Sequence, residues 1–319
     1  MLLLTRRLWG RVVAGAALGG FLQRASAADL GAARLSWDAA PGPETGRELR
    51  YRAAAQILLL SLPLVRWPNV GGGSAAWREA GSPESGVLRF LEFSGFSRPD
   101  RAAGLNRLGF IREFSRLTQG GAAESLYFGL MTASPEDTAE EARKALQSKA
   151  KEAAYTAIDG RLDGTAVETV VAHFTAPAQW SVANRSDLVR LAHTALAMTP
   201  PRPPEADARN SDIRPFLQTL ADTLRQPSPS EARFVYGGRY YRLRLQKTAD
   251  PKETRYFQQR GVIPSGRQVV RASGNLRRES GGRETNFRLW VEDGAAQPLP
   301  VRIEYQARSF LRLIFEAEA

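Results

Sequence analysis

Few residues in this 319-residue sequence have the types and spacing that chemistry needs. Cysteine is absent, and the two histidines, His173 and His193, have no acidic residue or second histidine at a metal-ligand spacing such as H-x-x-x-H. The sequence also contains no G-x-S-x-G nucleophile turn, no Walker loop and no dinucleotide fingerprint. It therefore predicts no metal site, no cofactor and no catalytic residue, and it favours a protein that is not an enzyme.

Paired carboxylates are the one catalytic arrangement that the sequence leaves open. Glu92 and Glu113 lie in neighbouring predicted strands among phenylalanines. Two carboxylates that face one cleft can hydrolyse a glycosidic bond. The simpler interpretation, which we favour, is that these carboxylates pair with Arg89 and Arg112 or are solvated.

Two groups of residues are candidates for binding. The first is a set of arginines in and beside one loop: Arg98, Arg101, Arg107 and Arg112. Such a set can hold a phosphate or a carboxylate group of a ligand. The second group is Tyr236 and Tyr241, which stand among further tyrosines and arginines. Each group has a plainer interpretation, because loop arginines are often only solvated and aromatic residues at a period of two often form one face of a sheet.

The elements that position these residues are mostly strands. Apolar and polar residues alternate at short spacings, most clearly in LWVEDGAAQPLPVRIEYQ over residues 289–306, where Asp293-Gly294 marks a turn. Gly71-Gly72-Gly73 is interpreted as a loop. The predicted fold class is mainly β, of the α+β type: a curved, partly closed antiparallel sheet with about three helices packed on it.

Helices are predicted near residues 135–154, 187–198 and 212–226. The first has Ser134 as its cap and Pro135 at its first position, and the third places its apolar residues on one face. We assign all three helices to a single domain at residues 47–319. An irregular segment rich in alanine, glycine and proline precedes it at residues 28–46.

The N-terminus has the three-part pattern of an export signal. Arg6 and Arg7 precede an apolar run from Val12 to Leu22, and Ala25-Ser26-Ala27 forms a cleavage pattern. The paired arginines suit the twin-arginine route, and general secretion is the alternative. We expect residues 1–27 to be removed near Ala27. The mature protein, in which we find no transmembrane segment, is then periplasmic or secreted.

Charge and composition narrow the range of partners. The net charge is +11, but the arginines are scattered, and their abundance beside alanine is typical of a GC-rich genome. The sequence has no zinc finger and no basic helix, so we expect no binding of nucleic acid. A hydrophobic fraction of 43% is enough to form a buried core.

The C-terminal third of the sequence resembles a known family. The stretch LWVEDGAAQPLPVRIEYQARSFLRLIFEA and the helix DIRPFLQTLADTLRQ resemble exported bacterial proteins grouped as domain of unknown function 3108. The resemblance implies a curved sheet in the cell envelope, similar to periplasmic lipid carriers, and it implies no reaction. We therefore expect a non-enzymatic scaffold for an apolar or amphipathic ligand or a protein partner, with a lipid, a glycan or an envelope protein as candidates. The alternatives are a carboxylate-based carbohydrate hydrolase and a structural or assembly factor without a small ligand.

Overall fold

The computed structural model describes residues 35–37, 45–59, 62–82, 86–102, 104–118, 121–133, 151–164, 166–203, 213–282, 284–308 and 311–319. The predicted export signal and residues 134–150 of the first predicted helix lie outside this part of the chain.

Within the described ranges, the chain forms fourteen strands and three α-helices. The strands are β1 (Thr45–Leu59), β2 (Leu62–Ser82), β3 (Gly86–Ser97), β4 (Leu108–Thr118), β5 (Gly121–Thr132), β6 (Glu152–Asp163), β7 (Ala166–Pro177), β8 (Arg214–Pro215), β9 (Ser230–Tyr236), β10 (Arg239–Ala249), β11 (Val269–Arg278), β12 (Thr285–Glu292), β13 (Arg302–Arg308) and β14 (Leu311–Ala317). The helices are α1 (Arg185–Ala197), α2 (Phe216–Arg225) and α3 (Pro251–Gln259). The prediction of a mainly β protein is confirmed.

All fourteen strands belong to one sheet. It is built from two meanders, the first of strands β1 to β7 and the second of strands β9 to β14. Its order is β7-β6-β5-β4-β3-β2-β1-β14-β13-β12-β11-β10-β9-β8. Neighbouring strands are antiparallel, except that the two-residue β8 is parallel to β9. The two meanders join where β1 pairs with β14, with Ala53 opposite Phe315. The first and the last strand of the domain are therefore neighbours at the centre of the sheet.

The sheet curves until the side chains of its two ends meet. Tyr127 and Ile158 from one end share a buried cluster with Val235 and Tyr240 from the other. Backbone hydrogen bonds between strands do not close the sheet, because β7 and β8 remain its ends. Arg202 links these ends: its backbone N–H donates to Thr169 O at 2.7 Å, and its guanidinium donates to Gly237 O at 3.3 Å.

Helix α2 lies inside this curve. Ala221 belongs to one buried cluster with Trp77 and Leu91, and Leu224 belongs to another with Leu243 and Leu289. These partners come from both meanders. Since α2 touches the inner face of both, it fills the interior and fixes the distance between the two halves of the sheet.

Polar groups of the sheet hold both ends of α2. Glu113 of β4 accepts the N–H groups of Leu217 and Gln218 at 2.6 and 2.8 Å. At the other end, Lys247 of β10 donates to the carbonyl oxygens of Leu224 and Gln226 at 3.0 and 2.5 Å. These contacts satisfy end groups of the helix that have no partner within it.

The other two helices pack on the outer face. Phe128 and Ala157 alternate with the inward-facing Tyr127 and Ile158, and they form a buried cluster with Leu188 of α1. Helix α3 covers β11 to β14 of the second meander. There the indole of Trp290 donates to Asp250, the N-cap of α3, at 3.0 Å.

Three sequence assignments are wrong. Residues 152–154, assigned to the end of the first helix, lie in β6, because their pairing with β7 outweighs the helical preference of their alanines. Residues 71–73, interpreted as a loop, lie within β2, where a side chain at Gly71 or Gly73 would overlap the backbone of β3. Thr45 and Gly46, assigned to the irregular segment, already belong to β1.

The other two predicted helices are present. The helix predicted near residues 187–198 is α1 and that near residues 212–226 is α2. Helix α3 was not predicted, because its sequence PKETRYFQQ buries only Phe257 and so lacks an apolar stripe.

A close contact inside the curve gives the first prediction. The ring of Tyr127 lies over Gly160 and its hydroxyl contacts Thr169 Oγ1 at 2.6 Å. A methyl group at Gly160 would overlap that ring, so we expect Gly160→Ala to lower the free energy of unfolding by about 1–3 kcal/mol.

The matched control is Gly109→Ala. Gly109 lies in β4 of the same meander, and the nearest atom to an added methyl group would be 3.8 Å away. Urea unfolding should give a much smaller loss for this variant. Equal losses for the two variants would contradict the contact between Tyr127 and Gly160.

Candidate functional site

A groove of about 530 Å³ on the outer face is the main candidate site. We call it the outer groove. It lies between α1, strands β4 to β7 and the short segment at residues 35–37. Its apolar wall includes Trp37, Phe128, Val170 and Val189. Its charged or titratable residues are Arg112, Asp159, Arg161, Glu168 and His193.

One wall of the outer groove is fixed by a partly buried ion pair. Glu124 and Arg161 pair on the outer face, and both bind the backbone of Leu35: Glu124 accepts its N–H at 2.9 Å and Arg161 donates to its carbonyl at 2.9 Å. Leu35 itself is buried against the sheet. These bonds hold Trp37 at the edge of the groove.

The opposite wall is fixed by Glu92. Its carboxylate accepts from Arg112 at 2.9 Å and from Arg185 of α1 at 2.6 Å. Burial alone would raise the pKa of Glu92, but the hydrogen bonds and charges of Arg185 and Arg112 hold that pKa below its usual value. His193 of α1 stacks on Phe128, with ring centroids 5.0 Å apart. Helix α1 is thereby fixed against the sheet.

The carboxyl groups of Asp159 and Glu168 are the distinctive feature of the floor. Asp159 lies opposite Val170 in the β6–β7 pair and Arg161 lies opposite Glu168, so the two acids are diagonal neighbours on the outer face. Burial raises the pKa of Asp159, the charges of His193 and Arg161 oppose that shift, and Glu168 adds to it. This arrangement can accept hydrogen bonds from hydroxyl or amino groups of a ligand.

The two carboxylates considered in the sequence do not share a cleft. Glu92 binds α1 on the outer face, whereas Glu113 binds the start of α2 on the inner face. Glu92 pairs with Arg112, as one of the sequence interpretations has it. Glu113 binds backbone N–H groups instead, in a fully buried position.

The predicted binding arginines fall into two places. Arg98 and Arg101 are exposed in the loop after β3, and Arg107 is partly buried next to β4. Arg112 lies in β4, where it lines the outer groove and pairs with Glu92. The structure therefore separates Arg112 from the loop arginines.

The two predicted tyrosines lie on the inner face. Tyr241 stacks on Phe234 at 5.1 Å between ring centroids, and Phe234 packs with Leu224 of α2. The hydroxyl of Tyr236 is buried over Gly129 and has no hydrogen-bond partner among the described residues. Their surroundings identify them as part of the packing around α2.

Sequence reasoning missed Trp37, Asp159 and Glu168. Asp159 was hidden because β6 begins in an alanine-rich stretch that was assigned partly to a helix. Trp37 was hidden because only the bonds from Glu124 and Arg161 bring its segment to the sheet. No local pattern indicates such a long-range contact.

The described ranges also lack two further features. They contain no group of three or more His, Cys, Asp or Glu residues that could hold a metal ion. No helix within them is both long enough and apolar enough to span a bilayer.

Comparisons with known proteins leave the family open. No protein-family model and no curated protein matches this sequence. The chain is similar to a crystal structure described as a beta-barrel-like protein of domain of unknown function 1849 from Brucella abortus. The two are 10% identical, with a TM-score of 0.36, and the match covers 85% of this chain and 95% of the other. The resemblance to domain of unknown function 3108 stays a prediction.

The buried carboxyl group of Glu113 gives the second prediction. Burial raises its pKa to about 8, although the N–H groups of Leu217 and Gln218 oppose this shift. In the unfolded chain the pKa returns to about 4.5. Between these two values the folded state holds a proton that the unfolded state releases. The free energy of unfolding should therefore fall as the pH rises from about 5 to about 8, by at most about 1.4 kcal/mol per pH unit.

The control for this prediction is Glu113→Gln, which cannot titrate. Urea unfolding of both proteins at pH 5, 6, 7 and 8 removes the contribution of all other groups from the difference. We expect the stability of the natural protein, relative to the variant, to decrease over this range. Parallel pH profiles would show that Glu113 is ionised in the folded state.

Proposed function

We propose that this protein is an exported, non-enzymatic scaffold that binds a small amphipathic molecule in the outer groove. The observation that carries the proposal is the combination of a groove of about 530 Å³ with apolar walls and a pair of acids on its floor. Ligand sites are typically concave, of about 300–1,000 Å³, and mostly apolar with a few polar groups.

The position of α2 favours the outer groove over the inside of the curve. The sequence suggested a curved sheet similar to periplasmic lipid carriers, with the sheet itself binding the ligand. Here α2 occupies the inside of the curve, and five of its ten residues are buried. A ligand is therefore more easily accommodated on the outer face.

The pairing of charges suggests the chemistry of the ligand. Arg112 and Arg161 already have carboxylate partners in Glu92 and Glu124. Among the described residues, Asp159 and Glu168 form no ion pair. The groove therefore offers acceptors, which suit hydroxyl or amino groups, next to the apolar side chains of Trp37 and Val170. A glycan head on an apolar body has this chemistry.

The predicted export signal supports an envelope location for this scaffold. Removal of residues 1–27, by the twin-arginine or the general route, would leave the groove intact, because its walls begin at residue 36. The resemblance to exported proteins of domain of unknown function 3108 suggests the same location.

The third prediction tests binding with octyl glucoside below its micelle concentration, a probe with an alkyl chain and sugar hydroxyls. We expect the natural protein to bind it and Val189→Trp, which fills the groove, to weaken binding at least tenfold. Ala197→Trp is the control, because Ala197 is exposed on the same helix. Isothermal titration measures the affinity, and thermal unfolding checks that each variant is folded.

Two further outcomes bear on the proposal. Native mass spectrometry of protein purified from its own cell envelope should reveal a bound amphipathic molecule that Val189→Trp loses. If neither the probe nor a co-purified molecule distinguishes the two tryptophan variants, the outer groove is not the binding site.

A second candidate function is hydrolysis of a carbohydrate by Asp159 and Glu168. The observation that favours it is the raised pKa of Asp159 beside a second carboxylate, which is the pattern of an acid and its partner in glycosidases. A panel of nitrophenyl glycosides tests it: activity that Asp159→Asn and Glu168→Gln each reduce at least a hundredfold would replace the binding proposal. We expect no hydrolysis by the natural protein.

A further inference from the structure

The end of the β1–β2 hairpin exposes a cluster of large apolar side chains. Leu64, Val65 and Trp67 are 63%, 42% and 49% exposed. They are three of the six large apolar side chains that the described residues expose, and the other three are scattered at Val182, Met198 and Tyr256. We call Leu64, Val65 and Trp67 the hairpin tip. Three large exposed apolar side chains within four residues indicate a surface that contacts another molecule or a membrane.

The hairpin tip continues an apolar face of the sheet. Val65 pairs with Ile57 and Trp67 pairs with Ala55, so these residues share one face with Leu311 and Leu313 of β14. Leu64 lies at a shift in the β1–β2 register, because Val65 is opposite Ile57 whereas Pro63 is opposite Leu58. Such a bulge leaves its extra residue without a partner in the facing strand. The three side chains therefore form one exposed apolar end of the hairpin.

Arginines surround the hairpin tip. Arg66 lies between Val65 and Trp67 and is exposed. The loop after β3 brings Arg98 and Arg101 to the same end of the sheet, because Arg98 N–H donates to Val70 O at 2.7 Å.

The loop is packed firmly against the hairpin. Ala102 is buried in one cluster with Ala55 and Val70, and Leu105, Leu311 and Leu313 pack around it. The one acid in this loop is Asp100, which lies 3.8 Å from Arg101. Arg66 and Arg98 pair with no acid among the described residues. The surface around the hairpin tip is therefore basic as well as apolar.

We infer that the hairpin tip inserts into the surface of an anionic phospholipid bilayer. Leu64 and Val65 enter the boundary of the acyl chains, and Trp67 sits at the level of the headgroups, where its ring is both apolar and able to donate a hydrogen bond. Arg66, Arg98 and Arg101 bind lipid phosphates while their aliphatic stems follow the apolar surface. This contact is peripheral, and it is independent of the outer groove.

Lipid phosphates would be the anions that Arg98 and Arg101 bind. An anion site at Arg98 and Arg101 was predicted without a ligand. Their packing beside an exposed apolar hairpin favours the phosphate of a membrane lipid over that of a soluble molecule, because a soluble phosphate would leave the hairpin tip uncovered.

The fourth prediction tests this contact by flotation of the full mature chain with vesicles. We expect binding to vesicles of 30% phosphatidylglycerol in phosphatidylcholine, at least tenfold weaker binding to pure phosphatidylcholine, and weakening as salt is raised from 50 to 500 mM. The double variant Leu64→Ser with Trp67→Ser should lose at least tenfold in affinity. Arg98→Gln with Arg101→Gln should lose affinity only for the anionic vesicles.

The matched control is Met198→Ser. Met198 is 77% exposed at the end of α1, away from the hairpin, and its replacement should leave vesicle binding unchanged. Trp67 emission should shift to shorter wavelength on anionic vesicles, measured as the difference between the natural protein and Trp67→Phe.

Three results would overturn the inference: no binding of the natural protein to anionic vesicles, equal binding by the serine double variant, or a loss with Met198→Ser as large as with the double variant. Light scattering tests whether the hairpin tip is instead a contact between two copies of the chain. If the natural protein forms a dimer that the double variant does not, and neither binds vesicles, the hairpin tip is a contact between copies of this chain.

Discussion

Glu113 and Lys247 hold the two ends of α2 inside the curved sheet, and the arrangement of the other elements depends on this helix. Glu113 belongs to β4 and Lys247 to β10, so the bonds that cap the helix come from different meanders. Arg89 of β3 adds a third link through Asp222 at 3.2 Å. The positive charge of Lys247 at the C-terminal end of α2 also suits the helix dipole. The curvature of the sheet is therefore set by what it encloses.

Because α2 occupies the interior, both candidate binding surfaces lie outside it. The outer groove is built where α1 and the 35–37 segment lean on the first meander, and the hairpin tip projects from the shared centre of the sheet. Each is supported by its own contacts: Glu124 and Glu92 fix the groove, and Ala102 packs beneath the hairpin. The protein thus presents two surfaces of different chemistry, one acidic on its floor and one basic around an apolar tip.

The sequence predicted the parts of this structure that depend on local pattern. Strands such as β12 and β13 follow from alternation, and α2 follows from its apolar face. That α2 lies inside the sheet could not be predicted, because its other face carries Gln218, Thr219 and Thr223, which are polar and yet buried. The outer groove could not be predicted either. It depends on the contacts of Leu35 with Glu124 and Arg161, which are 89 and 126 positions away in the chain.

The pairing of β1 with β14 has a consequence for biosynthesis. A nascent chain that has not yet emerged as far as residues 311–317 offers β1 only one hydrogen-bonding neighbour, β2, and leaves its other edge open. An open edge is a template for intermolecular strand pairing. The first meander therefore keeps this open edge until residues 311–317 have been synthesised and can pair with β1.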